Sequence, residues 1–169
     1  SMVRDIRDAP EPGTEPVESA VRATGERIRE ILGRAGGDSP FPLIHELQDT
    51  MFSHFGIFRE GPSMQEGLRR IGDLGARAPR VSLGNRETAA NQVLVRYLEL
   101  EMMLPLAEAV ARGAIAREES RGSHFRRDYR ERDDERFLAH TIASVKNGEM
   151  SIMYRPVTLG MFQVGERGY

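Results

Sequence analysis

The stretch NRETAANQVLVRYLELEMMLPLAEAVARGAIA, Asn85 to Ala116, decides the fold class. Ala89 or Ala90, Val93, Leu94, Tyr97, Leu98, Met102, Leu104, Ala107 and Val110 recur at steps of three and four, the spacing that gathers side chains on one side of an α-helix. Asn85 is a residue type that caps a helix start, so a long helix is predicted over 85–116. Pro105 is expected to bend it, because an interior proline removes one hydrogen bond and crowds the preceding turn.

Two further helical regions lie upstream. Ile44, Leu47, Met51 and Phe55, with Phe52 beside them, predict a helix from about Pro42 to Phe55. Gly56, Gly61 and Pro62 break it, and Ser63-Met64-Gln65-Glu66 reads as a capping box restarting a helix that carries Leu68, Ile71, Leu74 and Ala78. Before these, Val17, Val21, Thr24, Ile28, Ile31 or Leu32 and Ala35 form one apolar stripe, expected to be buried, on a helix from near Pro16 to Gly36-Gly37. Three long amphipathic elements on short connections pack most economically as a bundle, so the chain reads as mainly α.

Downstream, Arg117 to Arg136 (REESRGSHFRRDYRERDDER) mixes both charge signs with almost no apolar stripe. Beyond it, Thr141–Lys146 and Glu149–Tyr154 flank Asn147-Gly148, the pair favoured in a type I′ turn. A two-residue loop then pairs Val145 with Met150, Ala143 with Ile152 and Thr141 with Tyr154 on one face, expected to be buried. Pro156 and the tail to Tyr169 read as extended chain. The expected organisation is a cloning remnant and linker over 1–15, a helical bundle over 16–116, and a charged docking loop, hairpin and tail over 117–169.

The 169 residues suit one domain, and 24 basic against 26 acidic residues provide no broad field for nucleic acid or anionic lipid. With no cysteine, disulfides and thiolate chemistry are excluded. Only Lys146 is lysine, leaving 24 − 1 = 23 arginines, so the basic chemistry is guanidinium pairing. No apolar run approaches the roughly 18–20 residues of a membrane span.

His45-Glu46-Leu47-Gln48-Asp49 starts like the zinc pattern H-E-x-x-H but has Asp49 at the second histidine, so ordinary helix residues are the preferred reading. His54 near a helix end suits a structural role. No G-x-G-x-x-G is present, and Gly33, Gly36 and Gly37 close a helix rather than follow a strand. The charged segment admits two readings. One is catalytic, with His124 as base, Arg121 gripping a carboxylate and Asp128 orienting the base; the other, preferred, is an Arg–Asp network fastening an irregular loop to a neighbouring surface.

The run Arg117-Glu118-Glu119-Ser120-Arg121-Gly122-Ser123-His124-Phe125-Arg126-Arg127-Asp128-Tyr129, then Arg132-Asp133-Asp134-Glu135-Arg136-Phe137-Leu138-Ala139-His140-Thr141, resembles a signature near the carboxyl end of succinate dehydrogenase and fumarate reductase flavoprotein subunits. That signature is R-x-E-S-R-G-x-H-x-R-x-D-[YF]-P-x-R-D-D-x-x-[WF]-x-x-H-T. Glu46-Leu47-Gln48 through Gly56-Ile57-Phe58-Arg59, Leu98 to Leu104, and Tyr154-Arg155-Pro156-Val157 to Glu166-Arg167-Gly168-Tyr169 are similar to the same family. Arg130 stands where the family usually has proline, Phe137 replaces the commoner tryptophan, and Pro105 is unusual. L-aspartate oxidase shares an E-S-R-G-x-H element, but the R-D-D, H-T and tail motifs favour the dehydrogenase and reductase branch.

The resemblance implies a three-helix, spectrin-repeat-like bundle followed by a charged loop, a small β-hairpin and an extended C-terminal tail, packed on a flavin domain. In the parent subunit it implies FAD, hydride transfer between succinate and FAD, electron transfer to an iron–sulfur subunit, and a complex at the cytoplasmic face of the membrane. For this chain it implies a non-catalytic domain with no catalytic or cofactor-binding residue, while the residues themselves give the expectation of a cytoplasmic chain with no metal site, no nucleic-acid partner and no membrane insertion. Arg117, Glu119, Ser120, Arg121, Gly122, His124, Arg126, Asp128, Asp133 and Asp134 are then docking and ordering residues. The alternative is a free-standing helical adaptor binding a protein through Phe52, Phe55, Ile57 and Phe58.

Overall fold

The computed structural model describes residues 14–161 and 165; the expected remnant, most of the linker and the end of the tail lie outside them. In chain order the elements are α1 (Thr14–Gly33), α2 (Pro40–Phe55), β1 (Phe58–Arg59), α3 (Gly61–Arg77), α4 (Gln92–Ala116), β2 (Phe125–Arg126), α5 (Asp134–Phe137), β3 (Ala139–Lys146) and β4 (Glu149–Pro156). Helices α2, α3 and α4 pack on one another pairwise. Between them lies a core of Leu43, Ile44, Leu47 and Phe55 from α2, Met64, Ile71 and Leu74 from α3, and Leu94, Tyr97, Leu100, Leu104, Ala107 and Ala111 from α4. The protein is mainly α with one small antiparallel hairpin, as expected.

The core face of α4 differs from the expected stripe. Met102 and Val110 are 69% and 49% exposed, whereas Leu100, absent from the predicted set, is fully buried. Much of α4 is apolar around its circumference, so periodicity does not single out one side. Its start also lies later than Asn85. Ala90 has φ 53, which no right-handed helix accommodates, and Asn91 supplies the cap by accepting Leu94 N–H at 3.0 Å. The Asn91 amide donates to Asn85 O and Glu87 O, fixing the preceding loop, while the Asn85 side chain accepts Glu87 N–H within that loop rather than capping the helix.

The capping box does not form. Helix α3 begins at Gly61 with Pro62 in its first turn, where its fixed φ suits the helix, while Ser63 Oγ lies 2.9 Å from His54 Nδ1 and Glu66 pairs with Arg69 and Arg70. At Gly67 α3 lies close against α2. A Cβ there would stand 2.5 Å from the Phe55 ring and 2.7 Å from His54 Cβ.

Burial of the α1 stripe is corrected. Ile31 and Leu32 are buried and Ile28 packs against the core, but Val17 and Val21 are 58% and 66% exposed and Thr24 and Ala35 face solvent. The C-terminal part of α1 is held by Arg34, which donates to Tyr97 Oη at 2.7 Å, and by Arg27, which pairs with Glu101.

The hairpin has the expected register, Thr141 with Tyr154, Ala143 with Ile152 and Val145 with Met150, and the expected turn, with φ 54 at Asn147 and 81 at Gly148. Its expected buried face is not buried. Ala143, Val145 and Tyr154 are exposed, and only Met150 and Ile152 are half-buried, because the hairpin touches α4 near its base and no other described residue covers the rest.

Candidate functional site, a charged knot at the helix ends

The ten signature residues lie where α4 ends, α3 begins and the hairpin starts. Leaving α4, the chain makes a tight turn, with Arg121 N–H donating to His124 O and His124 N–H to Arg121 O, around Gly122 at φ 60. It then runs parallel to β1, pairing Phe58 with Phe125 and Arg59 with Arg126. Ser120, 8% exposed, pins the start of this segment to its end. Its Oγ accepts Arg126 N–H at 2.8 Å and donates to Tyr129 O at 2.8 Å.

Arg126, 3% exposed, points into the C-terminal end of α4. Its Nη1 donates to Ala114 O, Ile115 O and Arg117 O at 3.1–3.2 Å, answering carbonyls that a helix end leaves without partners. Its Nε and Nη2 grip Asp128 bidentately at 2.7 and 2.8 Å. Asp128 Oδ2 in turn accepts Gly61 N–H at 2.9 Å, at the N-terminus of α3. The pair therefore places its cation on the negative end of one helix dipole and its anion on the positive end of another. The Arg126 guanidinium and the Gly61 N–H hold the Asp128 carboxyl well below the usual range.

Glu119 is the second centre, with its side chain fully buried. Its oxygens accept Arg117 Nη1 at 2.5 Å, Arg121 Nε at 2.8 Å, Arg121 Nη2 at 2.9 Å and Asp133 N–H at 2.9 Å. Burial pushes its carboxyl up, but the bonds from Arg121, the Asp133 amide and Arg117 together outweigh burial and bring it below its ordinary value. Arg121 also reaches Asp134, Asp134 is shared with Arg132, and Asp133 caps α5 by accepting Arg136 N–H. Arg132 further donates to Gly165 O in the tail.

Arg117 joins this knot to the hairpin. It donates to Phe137 O, Ala139 O and Thr141 Oγ1 at 2.6–3.0 Å and lies over the rings of Phe137 and Tyr154, which themselves meet edge to face. Phe137 is the buried apolar anchor of a segment that otherwise contributes almost no core.

The catalytic arrangement is not assembled. His124 Nδ1 lies 2.6 Å from Arg59 Nη1; arginine only donates, so Nδ1 is the acceptor and Nε2–H donates to Arg117 O at 3.0 Å. Both ring nitrogens are used, Asp128 faces Arg126 rather than the imidazole, and Arg121 is occupied by Glu119 and Asp134. Burial, with the charges of Arg59, Arg126 and Arg117, lowers the His124 pKa despite the bond to Arg117 O, so the ring is neutral near pH 7. Arg59, Gly61 and Thr141 complete the site and are missing from the sequence-based set. Arg59 follows a helix break directly, a position where a cation finds exposed carbonyls, and it donates to Phe55 O and Gly56 O at the end of α2.

His45 and Asp49 are exposed, and among the described residues no three His, Asp or Glu side chains gather around a common point. A Cβ on Gly37 would stand 1.8 Å from Arg80 O, so that glycine makes room for its own chain rather than for a phosphate. Of the proposed adaptor surface, Phe52, Ile57 and Phe58 are exposed, but Phe55 is 5% exposed and belongs to the core.

Residues 44–169 match the family described as fumarate reductase flavoprotein C-term. The chain is 36% identical to the fumarate reductase flavoprotein subunit of Mycobacterium tuberculosis H37Rv, over 89% of this chain and 27% of that protein. It is 38% identical to the succinate dehydrogenase flavoprotein subunit of Coxiella burnetii, over 72% of this chain and 20% of the other. In structure it is similar to E. coli quinol fumarate reductase FrdA with a TM-score of 0.86 at 28% identity, covering 93% of this chain and 27% of that one. The chain thus spans about a quarter of the length of these relatives. On the residues matched, it belongs to the C-terminal family of the fumarate reductase and succinate dehydrogenase flavoprotein subunits.

Proposed function

We propose that this chain is a non-catalytic C-terminal domain that packs on and braces the FAD domain of a flavoprotein subunit. The subunit as a whole oxidises succinate or reduces fumarate by hydride transfer with FAD and passes electrons to an iron–sulfur subunit. Residues 16–116 form the bundle and 117–169 the docking and ordering region. One observation carries the reading: the signature residues answer one another and the helix ends, with both nitrogens of His124 engaged, so they hold a shape rather than present a proton donor or acceptor. The exposed Val17, Val21, Ile57 and Phe58 supply apolar surface to be covered.

The test starts from the reading frame upstream of this sequence. A polypeptide carrying a G-x-G-x-x-G flavin domain there should retain FAD longer on heating when co-expressed with this chain than without it, and this chain alone should be colourless and inactive in succinate-dependent dye reduction. A yellow, active preparation of the chain alone overturns the non-catalytic assignment; equal flavin retention with and without it overturns the bracing role. The adaptor reading rests on the exposure of Phe52 at 87%. It requires the chain to be translated on its own, with no flavin domain in frame.

A further inference from the structure

An open cleft of about 370 Å³ lies between α4 and β3. Ala109, Val110, Gly113 and Ala114 form its floor, Thr141 and Ala143 one wall, and Arg59, Arg117 and His124 its polar end. The charges at that end do not balance. Arg126 is matched by Asp128 and Arg117 by Glu119, but Arg59 has no carboxylate within ion-pair distance among the described residues. Its partners are Gly56 O, Phe55 O and the neutral His124, and the end of α2 offsets only about half a charge. These bonds use three of the five guanidinium N–H groups. Burial with no counter-charge draws the Arg59 pKa down, the direction expected of a cation short of an anion.

We propose that this cleft receives a protein carboxylate, an Asp or Glu side chain on the surface that packs against this domain, held by the two remaining N–H groups of Arg59. Small residues leave the entrance clear, and the aliphatic floor suits the methylene groups of such a side chain. The fork of a guanidinium matches a carboxylate in a way that an ammonium does not. The identity of the occupant rests on the packing proposed above; the preference for a carboxylate does not.

The experiment uses this chain, isotope-labelled, and follows the Arg59 side-chain N–H and the His124 ring by NMR while blocked glutamate (N-acetyl-glutamate-N-methylamide) or blocked glutamine is added. Both signals should move with glutamate, half-saturating on the order of 10 mM, and stay still with glutamine. Bound glutamate should also raise the His124 pKa. Arg59→Lys, which keeps the charge and loses the fork, should weaken binding at least several-fold while the Tyr97 and Leu100 signals show the bundle intact. No movement up to about 100 mM, or equal movement with glutamine, overturns the proposal. Binding of succinate tenfold tighter than blocked glutamate overturns it in favour of a free dicarboxylate. If glutamate binds but the upstream flavin polypeptide does not associate with the chain, the carboxylate site stands and the bracing role falls.

Discussion

Glu119 is the fully buried carboxylate on which two arginines and a backbone amide converge. Four donors meet its two oxygens, and three of them belong to two arginines that fasten separate segments, Arg117 at the hairpin and Arg121 at the turn. Glu119→Gln keeps the size but turns a donor toward donors, strands Arg117 and leaves Arg121 only Asp134, so it should cost about 3–5 kcal/mol, a large part of a typical domain's stability. A shift in the urea midpoint equivalent to under about 1 kcal/mol would show that the knot is not structural. The pH dependence follows from two groups. The carboxyl of Glu119 is depressed in the fold, so its stabilisation is present above about 4.5 and is lost as pH falls through the lower folded value. His124 is also depressed, so below about 6.5 the unfolded chain takes up a proton that the folded chain refuses, and stability again falls with acid. The urea midpoint should therefore rise between pH 5 and pH 7, and His124→Gln should flatten that rise. An unchanged slope in the variant would remove His124 from the account.

At the scale of elements, helix ends explain what the charged segment does. Asp128→Asn keeps an acceptor for Gly61 N–H but leaves the buried Arg126 without its anion, and should cost about 1.5–3 kcal/mol by denaturant titration. A neutral effect would mean that the carbonyls of Ala114, Ile115 and Arg117 alone satisfy Arg126. Gly67→Ala tests packing in the opposite way. Helix propensity favours alanine by about 1 kcal/mol, but the contacts to Phe55 and His54 are too short to keep, so a net loss of about 1–3 kcal/mol and a lower Tm are expected. A raised Tm would show that α2 and α3 can separate easily.

The same elements show what the sequence discloses. The helices, the Asn147-Gly148 turn and the hairpin register are legible because they depend on local chemistry and a period of 3.6 or 2. The capping box fails because Ser63 is taken by His54, nine residues earlier, a partner no local window contains. The start of α4 fails because two asparagines lie six apart and only the three-dimensional loop decides which caps. Within the site, the residue types of the Arg–Asp network are readable, but Arg59 and Gly61 enter only when α2 and α3 are folded against the segment 65 to 67 residues away.

For the whole molecule, the informative feature is an apolar stripe that no described residue covers. Helix α1 carries the spacing of a buried helix, yet only its last turns reach the core, where Ile31 and Leu32 are enclosed and Arg34 and Glu101 meet at Tyr97 Oη. Val17, Ala20, Val21 and Thr24 face solvent. Within this chain, Val17→Ser with Val21→Ser should change stability by less than about 0.5 kcal/mol per site, and amides of residues 15–24 should exchange far faster than those around Tyr97 and Leu100. Against the flavin-domain polypeptide the same pair should matter. Burying a valine is worth about 1.5–3 kcal/mol, and 1.4 kcal/mol is tenfold in affinity, so the double variant should bind at least tenfold more weakly in a titration. Marked destabilisation of the isolated chain would mean that this side of α1 is covered internally. Unchanged affinity would place the packing surface elsewhere, at Ile57 and Phe58 or along the uncovered hairpin.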